Sequence, residues 1–319
     1  MTTSALWMTG PGQVACRDTG YEIGPDDLDI QALFSGISRG TERLVFQGRV
    51  PPSEHDTMRA PHQEGEFTFP IKYGYSTVGR VQSGPRAGDV VFALFPHQAR
   101  FALPADAVIR VPANVPPQRA ILASNMETAL NVLWDARLTA GDKVVVVGCG
   151  VIGALVAYLA NRMPGTEVCA IDVNPSRAKL MEKLGVRFET PATANGNNDV
   201  AIHTSASAKG LATAIDLAGT EAKVVEASWY GDGLTETPLG GGFHQRRLQI
   251  IGSQVGRIPA HQAARWTYRR RLEKALSLLG DPAVDALLSG ETDFADISKQ
   301  YAEILEDPAT LCHRIRYGD

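Results

Sequence analysis

Residues 140–186 read AGDKVVVVGCGVIGALVAYLANRMPGTEVCAIDVNPSRAKLMEKLGV, and this stretch decides the fold. Its four consecutive valines, residues 144–147, predict a buried strand of a parallel sheet. A helix is predicted from Val151 to Asn161, a second strand over Glu167–Val173, and a second helix from Pro175 to Leu184. Strands that alternate with helices in this way predict a parallel sheet with helices on both of its faces.

The turn after the valine strand is a GxGxxG motif, a pattern that binds dinucleotide phosphates when it joins a strand to a helix. Gly148 permits the tight turn, Gly150 leaves room for a pyrophosphate, and Gly153 lets the helix pack on the strand. The free N–H groups at the helix start, around Val151 and Ile152, then face the phosphates. The alternative is a glycine-rich turn with a purely structural role.

An acidic residue after the second strand favours one nicotinamide nucleotide over the other. Asp172 lies about 20 residues beyond the glycine motif, where a carboxylate accepts hydrogen bonds from ribose hydroxyls and repels a 2′-phosphate. NAD(H) is therefore the favoured cofactor. Arg177 keeps NADP(H) possible, because a guanidinium close to Asp172 can accept a 2′-phosphate.

The rest of the chain divides into two kinds of pattern. The first third reads as short strands separated by Gly and Pro clusters, which predicts an antiparallel, partly closed β domain. Beyond the glycine motif, further strands are predicted over Val200–His203, Lys223–Ser228 and Leu248–Ser253. After Asp281 the pattern predicts helix, followed by a final strand over Leu311–Tyr317.

Bulk composition excludes several classes of function. The chain has 319 residues and a net charge of −4, which suggests about two domains and disfavours nucleic acid and anionic membranes as partners. Neither a signal peptide nor a run of about 18 apolar residues is present. The four cysteines form no CxxC pair, as expected of a reduced cytoplasmic protein with no disulfide framework.

An ordered set of landmarks resembles the medium-chain dehydrogenase/reductase superfamily. The landmarks are the stretch SGISRGTE at residues 35–42, the stretch from Gly74 to Gly79, the pair Gly88-Asp89, and the glycine motif. Three segments, FPHQARF, NMETALNVLWD and FHQRRLQIIGSQVG, resemble the branch that includes bacteriochlorophyllide hydroxyethyl dehydrogenase.

The resemblance implies an α/β fold made of a GroES-like β domain and a Rossmann domain with a doubly wound parallel sheet. The expected GroES-like domain spans residues 1–115, with residues 283–319 returning to it, and the expected Rossmann domain spans residues 116–282. It also implies a homodimer joined through edge strands, for which the run Leu248–Ser253 is the candidate.

The resemblance also implies a catalytic zinc, and the side chains at the ligand positions argue against it. The first ligand position falls on Ser38 or Arg39, the second on Tyr75 and a later one near Ser124. Zinc requires thiolate, imidazole or carboxylate ligands, and hydroxyl groups are poor substitutes. The prediction is no metal, although a non-standard zinc site stays an alternative.

Without zinc, polar side chains have to orient the substrate and handle its proton. Tyr75 is either a pocket hydroxyl or a Tyr packed at a strand end, and Thr41 is either a proton relay or a helix-capping residue. His97 is an acid or base in a substrate loop, or an incidental loop histidine. Ser38 is a further candidate as a hydrogen-bond donor. The resemblance implies a place at the pyrophosphate for Arg39, which is otherwise a surface arginine, and a place near the nicotinamide amide for Ser253.

The sequence therefore predicts a zinc-independent NAD(P)-dependent oxidoreductase. Its expected substrate is a small molecule carrying a secondary alcohol or ketone, or an activated double bond. The alternative is a nucleotide-binding protein without turnover, acting as a redox sensor or a subunit.

Overall fold

The computed structural model describes residues 1–318, and the chain divides into two compact units. The first unit comprises Met1–Ser124 and Leu272–Asp319, and the second comprises Asn125–Arg271. The sequence placed these boundaries after residues 115 and 282. The C-terminal segment belongs to the same unit as the N-terminal one.

Strands form most of the regular secondary structure in the N-terminal part of the first unit. Its strands are β1 Thr2–Gly10, β2 Gln13–Gly20, β3 Asp27–Ser38, β4 Glu64–Gly65, β5 Ile71–Lys72, β6 Thr77–Val81, β7 Val90–Ala93, β8 Arg100–Pro104 and β9 Ile109–Arg110. Its helices are α1 Arg39–Phe46 and α2 Pro117–Ala120, with a 3₁₀ turn at Pro52–Glu54.

The second unit alternates strands and helices, as predicted. Its strands are β10 Lys143–Val147, β11 Glu167–Ile171, β12 Arg187–Glu189, β13 Asn198–His203, β14 Ala218–Glu226 and β15 Gln249–Gly252. The helices of this part of the chain are α3 Ala123–Ala136, α4 Val151–Ala160, α5 Ala178–Lys183, α6 Ala208–Leu217, α7 Gly242–Gln245, α8 Ala260–Ala263 and α9 Tyr268–Leu278, with a 3₁₀ turn at Pro175–Arg177.

The C-terminal part adds two strands and one helix to the first unit. They are β16 Leu288–Asp293, α10 Ile297–Glu306 and β17 Cys312–Arg316, with 3₁₀ turns at Pro282–Leu287 and Phe294–Asp296. The prediction of helix throughout the segment after Asp281 was wrong at β16. Burial alternates along β16, but Leu288 is the single apolar residue among its inward-facing positions, so the sequence carries no apolar alternation there.

Antiparallel pairing dominates the first unit. One sheet has the order β2-β1-β5-β4, and the other has the order β16-β17-β3-β6-β7-β9, with β8 also pairing with β3. Strand β17 lies antiparallel to β3 and parallel to β16. The C-terminal strand is therefore an interior strand of its sheet.

The second unit contains a six-stranded parallel sheet of order β12-β11-β10-β13-β14-β15. The order reverses between β10 and β13, and the predicted doubly wound α/β fold is confirmed. Valines 144–147 are all buried, as are eight of the ten residues of α4. Strand β15 forms one edge of the sheet, and its pairing with a second copy stays a prediction. Among residues 1–318, no helix is long and apolar enough to span a bilayer.

Candidate active site and nucleotide site

The glycine turn of the second unit joins β10 to α4. Gly148 has a φ of 106°, and an added Cβ there would lie 2.8 Å from the backbone nitrogen of Ser205. A Cβ on Gly153 would lie 1.8 Å from the carbonyl oxygen of Gly148, so the helix approaches the strand as closely as the motif requires. At Gly150, the N-cap of α4, an added Cβ would meet no described atom within 4 Å. The turn therefore combines a closely packed base with open space at the helix N-terminus.

Asp172, directly after β11, is fixed against this turn. Its Oδ2 accepts a hydrogen bond from the backbone N–H of Cys149 at 2.7 Å, and its Oδ1 accepts one from the N–H of Asn174 at 2.8 Å. Both carboxylate oxygens keep further lone pairs for a ligand. Arg177 acts electrostatically on the Cys149 thiol, so this guanidinium also lies near the turn. Asp172 and Arg177, the two side chains expected to select between NAD(H) and NADP(H), therefore both lie close to the glycine turn.

Ser253 and Arg39, the other two predicted cofactor residues, have partners within their own units. The Ser253 hydroxyl donates to Oδ2 of Asp135 at 2.6 Å, and its backbone N–H donates to the carbonyl of Glu226. Arg39 begins α1 and donates to the carbonyl oxygen of Glu306 at 3.3 Å. Their roles toward a nucleotide stay predictions.

In the first unit, three of the four predicted catalytic residues lie together. The hydroxyls of Ser38, at the end of β3, and Thr41, in α1, both hydrogen-bond to the Tyr75 hydroxyl. Burial raises the pKa of Tyr75 to about 12, more than these two hydrogen bonds lower it, and the nearby Glu42 raises it further. Tyr75 is consequently a protonated hydroxyl at physiological pH, and it can donate a hydrogen bond but cannot act as a phenolate base.

His97, the fourth predicted residue, is fully buried and bound on both sides of its ring. Its Nδ1 lies 2.8 Å from Oγ of Ser35, and its Nε2 lies 3.0 Å from Oε2 of Glu42. Gly74 contributes to this arrangement, because its φ is 115° and an added Cβ would lie 2.9 Å from the imidazole. His97 therefore joins the interior of the unit, and it is not an isolated loop histidine.

Glu42 is the centre of this buried network, and sequence analysis missed its role. The carboxylate is fully buried and accepts hydrogen bonds from the Ser38 backbone N–H at 2.6 Å and the Tyr301 hydroxyl at 2.5 Å, besides its contact with His97. Glu42 precedes Val45 and Phe46 by three and four residues, which places it on the buried face of α1. That spacing was the available signal.

The positions at which the resemblance places zinc ligands do not form a zinc site. Ser124 Oγ lies 3.0 Å from Ser76 Oγ, so these two hydroxyls bind each other. Cys312 is buried, and burial together with Glu42 raises the pKa of its thiol to about 12. Within residues 1–318, no group of three or more His, Cys, Asp and Glu side chains could hold a metal ion. Since zinc requires such ligands, the residues present do not fit it.

The second unit carries another polar cluster that sequence analysis missed. His203 ends β13 and Glu226 ends β14, and the two side chains are joined by a contact of 2.7 Å between Nδ1 and Oε2. The available signal was a histidine at the end of the predicted strand Val200–His203 and a glutamate near the end of the predicted strand Lys223–Ser228, since the ends of parallel strands meet at one edge of a sheet.

Comparison with known proteins connects this geometry to a family. The 2-desacetyl-2-hydroxyethyl bacteriochlorophyllide A dehydrogenase of Rhodobacter capsulatus is 25% identical over 98% of this chain and 97% of its own length. The enzyme of the same description from Cereibacter sphaeroides is 24% identical over 98% and 97%. This chain is similar to the medium-chain dehydrogenases/reductases. The predicted resemblance is confirmed, and so is the prediction of a dehydrogenase/reductase enzyme. No family model matches the sequence.

Solved structures give the same fold. L-idonate 5-dehydrogenase from Escherichia coli superposes with a TM-score of 0.80 at 15% identity, over 99% of this chain and 98% of that protein. An alcohol dehydrogenase of E. coli complexed with NADH has a TM-score of 0.77 at 15% identity, over 99% of both chains. TarJ of Staphylococcus aureus in complex with NADPH has a TM-score of 0.76 at 13% identity, over 100% of both chains. The predicted GroES-like and Rossmann fold is confirmed.

Proposed function

We propose that this protein is a zinc-independent, NAD(P)-dependent oxidoreductase that interconverts a secondary alcohol and a ketone of a small molecule. The observation that carries the proposal is the open space at Gly150, at the N-terminus of a buried helix and beside the fixed carboxylate of Asp172. Backbone N–H groups at such a helix end attract phosphate. Relatives whose names specify oxidation of a hydroxyethyl group support an alcohol as the substrate.

The nicotinamide nucleotide supplies the hydride chemistry when it is bound. Gly148, Gly150 and Gly153, with the N–H groups of Val151 and Ile152, would hold its pyrophosphate, and Asp172 would hold the adenosine ribose. Ser38, Thr41 and Tyr75 are the proposed substrate-facing groups. Because Tyr75 stays protonated, its hydroxyl would donate a hydrogen bond to the substrate oxygen and polarise a carbonyl. In zinc-dependent dehydrogenases, the zinc ion polarises this carbonyl.

We expect wild-type protein to bind NADH at least about tenfold more tightly than NADPH, because Asp172 attracts ribose hydroxyls and repels a 2′-phosphate. Quenching of tryptophan fluorescence during separate titrations with the two nucleotides measures this ratio. Tighter binding of NADPH would assign the selective role to Arg177. Binding of neither nucleotide would overturn the proposed function.

Turnover separates the enzyme from a nucleotide-binding protein without activity. The first substrates to test are 1-phenylethanol, 2,3-butanediol and the corresponding ketones, because each carries a secondary alcohol or its oxidised form. NADH formation at 340 nm with any of these alcohols supports the enzyme. Tight nucleotide binding without hydride transfer to or from any of a broad panel of alcohols, ketones and quinones would favour the sensor alternative.

We expect Tyr75→Phe to lower kcat/KM by about tenfold to hundredfold, because it removes the hydroxyl that donates to the substrate oxygen. The pKa of Tyr75, raised to about 12, implies that wild-type activity shows no inflection from this group between pH 6 and pH 10. Steady-state rates across that pH range test both statements. The matched control is Tyr73→Phe, at a buried ring whose centroid lies 6.1 Å from that of Tyr75. Equal losses in the two variants would contradict the proposed role.

A further inference from the structure

The side chains of Glu226, His203 and Ser205 form a chain of hydrogen bonds at the carboxyl ends of the parallel strands. The register places Val147, His203, Glu226 and Gly252 side by side across the four strands β10, β13, β14 and β15. Val147 immediately precedes the glycine turn. The pair formed by His203 and Glu226 therefore lies in the same row of the sheet as the base of the proposed phosphate site.

The contacts within this cluster are short and directional. Nδ1 of His203 lies 2.7 Å from Oε2 of Glu226, and Nε2 lies 2.6 Å from Oγ of Ser205. Glu226 also accepts hydrogen bonds from the Ser228 backbone N–H at 2.8 Å and the Tyr230 hydroxyl at 3.0 Å. These bonds to the imidazole and to Ser228 lower the pKa of Glu226 despite the opposing effect of burial. The glutamate is thus held as a carboxylate that fixes the imidazole.

The cluster runs from the interior to the surface. His203 is fully buried, whereas Ser205 is an exposed residue. Ser205 packs directly on the turn, because an added Cβ on Gly148 would lie 2.9 Å from the Cβ of Ser205. Ser207 is the N-cap of α6. Its Oγ lies 2.9 Å from Ser205 Oγ and accepts from the N–H of Gly210 in the first turn of that helix.

The position of Ser205 decides which part of a dinucleotide it meets. The strand order reverses between β10 and β13, and a dinucleotide lies across such a reversal with its pyrophosphate at the glycine turn. Asp172 follows β11, on one side of β10, and takes the adenosine half. Ser205 follows β13, on the other side, so it meets the half that carries the nicotinamide.

We propose that Ser205 is a binding residue for the ribose of the nicotinamide half, and that His203 and Glu226 are its positioning residues. The inference rests on the proposed nucleotide-binding function. In the tautomer that places the ring proton on Nδ1, Glu226 accepts that proton and Nε2 accepts a hydrogen bond from the hydroxyl of Ser205. Ser207 can donate to one lone pair of the Ser205 oxygen, which leaves the other directed to a hydroxyl of the ribose.

Comparing the affinities of three ligands distinguishes the contact between Ser205 and the ribose from the other contacts of the nucleotide site. NADH and ADP-ribose both carry the second ribose, whereas ADP ends at the diphosphate. We expect Ser205→Ala to weaken NADH and ADP-ribose binding about threefold to tenfold, the worth of one uncharged hydrogen bond, and to change ADP binding less than twofold. Isothermal titration calorimetry measures all three affinities.

A variant of His203 tests the positioning role. His203→Asn keeps an amide N–H close to the place of Nδ1, so Glu226 stays paired, and it removes the Nε2 acceptor. We expect it to reproduce the pattern of Ser205→Ala, with ADP binding unchanged. If His203 had a purely structural role, His203→Asn would weaken the binding of all three ligands or of none. The matched control is Thr213→Val, which removes a hydroxyl of α6 that donates to its own helix at 2.9 Å.

The outcomes distinguish the inference from the proposed function. If wild-type protein binds none of the three ligands, the proposed function fails. If Asp172→Ala weakens all three ligands while Ser205→Ala weakens none, the nucleotide site stands and the inference is overturned. Groups in this order also form the nucleophile, base and orienting acid of hydrolases. Labelling of Ser205 by a fluorophosphonate, with ADP-ribose affinity unchanged in Ser205→Ala, would likewise overturn the ribose contact.

Discussion

Gly150→Ala is expected to lower the affinity for NADH by about a hundredfold and to leave the melting temperature within about 2 °C of the wild-type value. Gly150 has φ −72° and ψ −176°, an extended conformation that alanine adopts without strain. The new methyl group would meet no described atom within 4 Å, so folding is unaffected. It would occupy the space through which a pyrophosphate reaches the N–H groups of α4. Losing two charge-assisted hydrogen bonds at about 1.5 kcal/mol each accounts for a hundredfold loss.

Two further glycine variants are controls for the prediction on Gly150→Ala. Gly153→Ala places its Cβ 1.8 Å from the Gly148 carbonyl oxygen, so it should prevent correct folding of the second unit. Gly20→Ala, at an exposed strand end with its nearest neighbour at 3.9 Å, should change neither binding nor stability. Calorimetric titration and thermal melting of the three variants provide the comparison. NADH affinity unchanged in Gly150→Ala would show that the phosphates do not bind at this turn.

Glu42→Gln is expected to lower the free energy of unfolding by about 3 kcal/mol. Glu42 is fully buried and receives hydrogen bonds from three sides, from Ser38, His97 and Tyr301. A glutamine of the same shape has only one oxygen, and its amide N–H₂ would face a donor. Oε1 accepts from Ser38, whereas Oε2 accepts from His97 and Tyr301, so at least one buried donor would lose its acceptor, at about 1–3 kcal/mol. The remaining donors would bond to a neutral amide in place of a charged carboxylate, which costs about 1 kcal/mol more. Urea denaturation at pH 7, followed by circular dichroism, measures the change.

The control for Glu42 is Tyr301→Phe, which removes one donor of the same carboxylate and leaves its other partners in place. Its expected cost is about 1 kcal/mol, the net worth of a single hydrogen bond. The Glu42 variant should also lose activity, because the Ser38 N–H that it anchors adjoins the proposed pocket. Equal stability of Glu42→Gln and wild-type protein would mean that the network does not hold the unit together.

The local parts of the fold were readable from the sequence, because they depend on neighbouring residues. Four valines followed by GxGxxG predicted β10, the turn and α4, and the structure has each of them. The resemblance to zinc dehydrogenases gave Ser38, Thr41 and Tyr75, which the structure brings together. The long-range contacts were not readable. Glu42 meets Tyr301 across 259 residues, and Ser35 meets Tyr317 at 2.9 Å across 282 residues.

His97 is a second residue whose long-range contacts could not be predicted from the sequence. Its sequence position, after Phe95-Pro96, indicated a loop at the pocket, and the structure gives it two buried partners from distant strands and helices. No pattern within a few residues of a histidine reports whether its ring faces solvent or a carboxylate. The prediction for the segment after Asp281 failed for a related reason, because β16 is defined by its pairing with β17 and has one apolar residue, Leu288, on its inward-facing side.

The interior position of β17 also sets the order in which the protein can be completed during translation. The second unit is one continuous stretch, Asn125–Arg271, whereas the first unit closes only when its final strand pairs with β3. Until then the ribosome holds an N-terminal segment with β3 unpaired along that side, and with Glu42 and Ser35 lacking Tyr301 and Tyr317. The second unit can therefore fold on the ribosome before β17 has been synthesised, whereas the sheet beside Tyr75 is complete only after β17 has paired with β3.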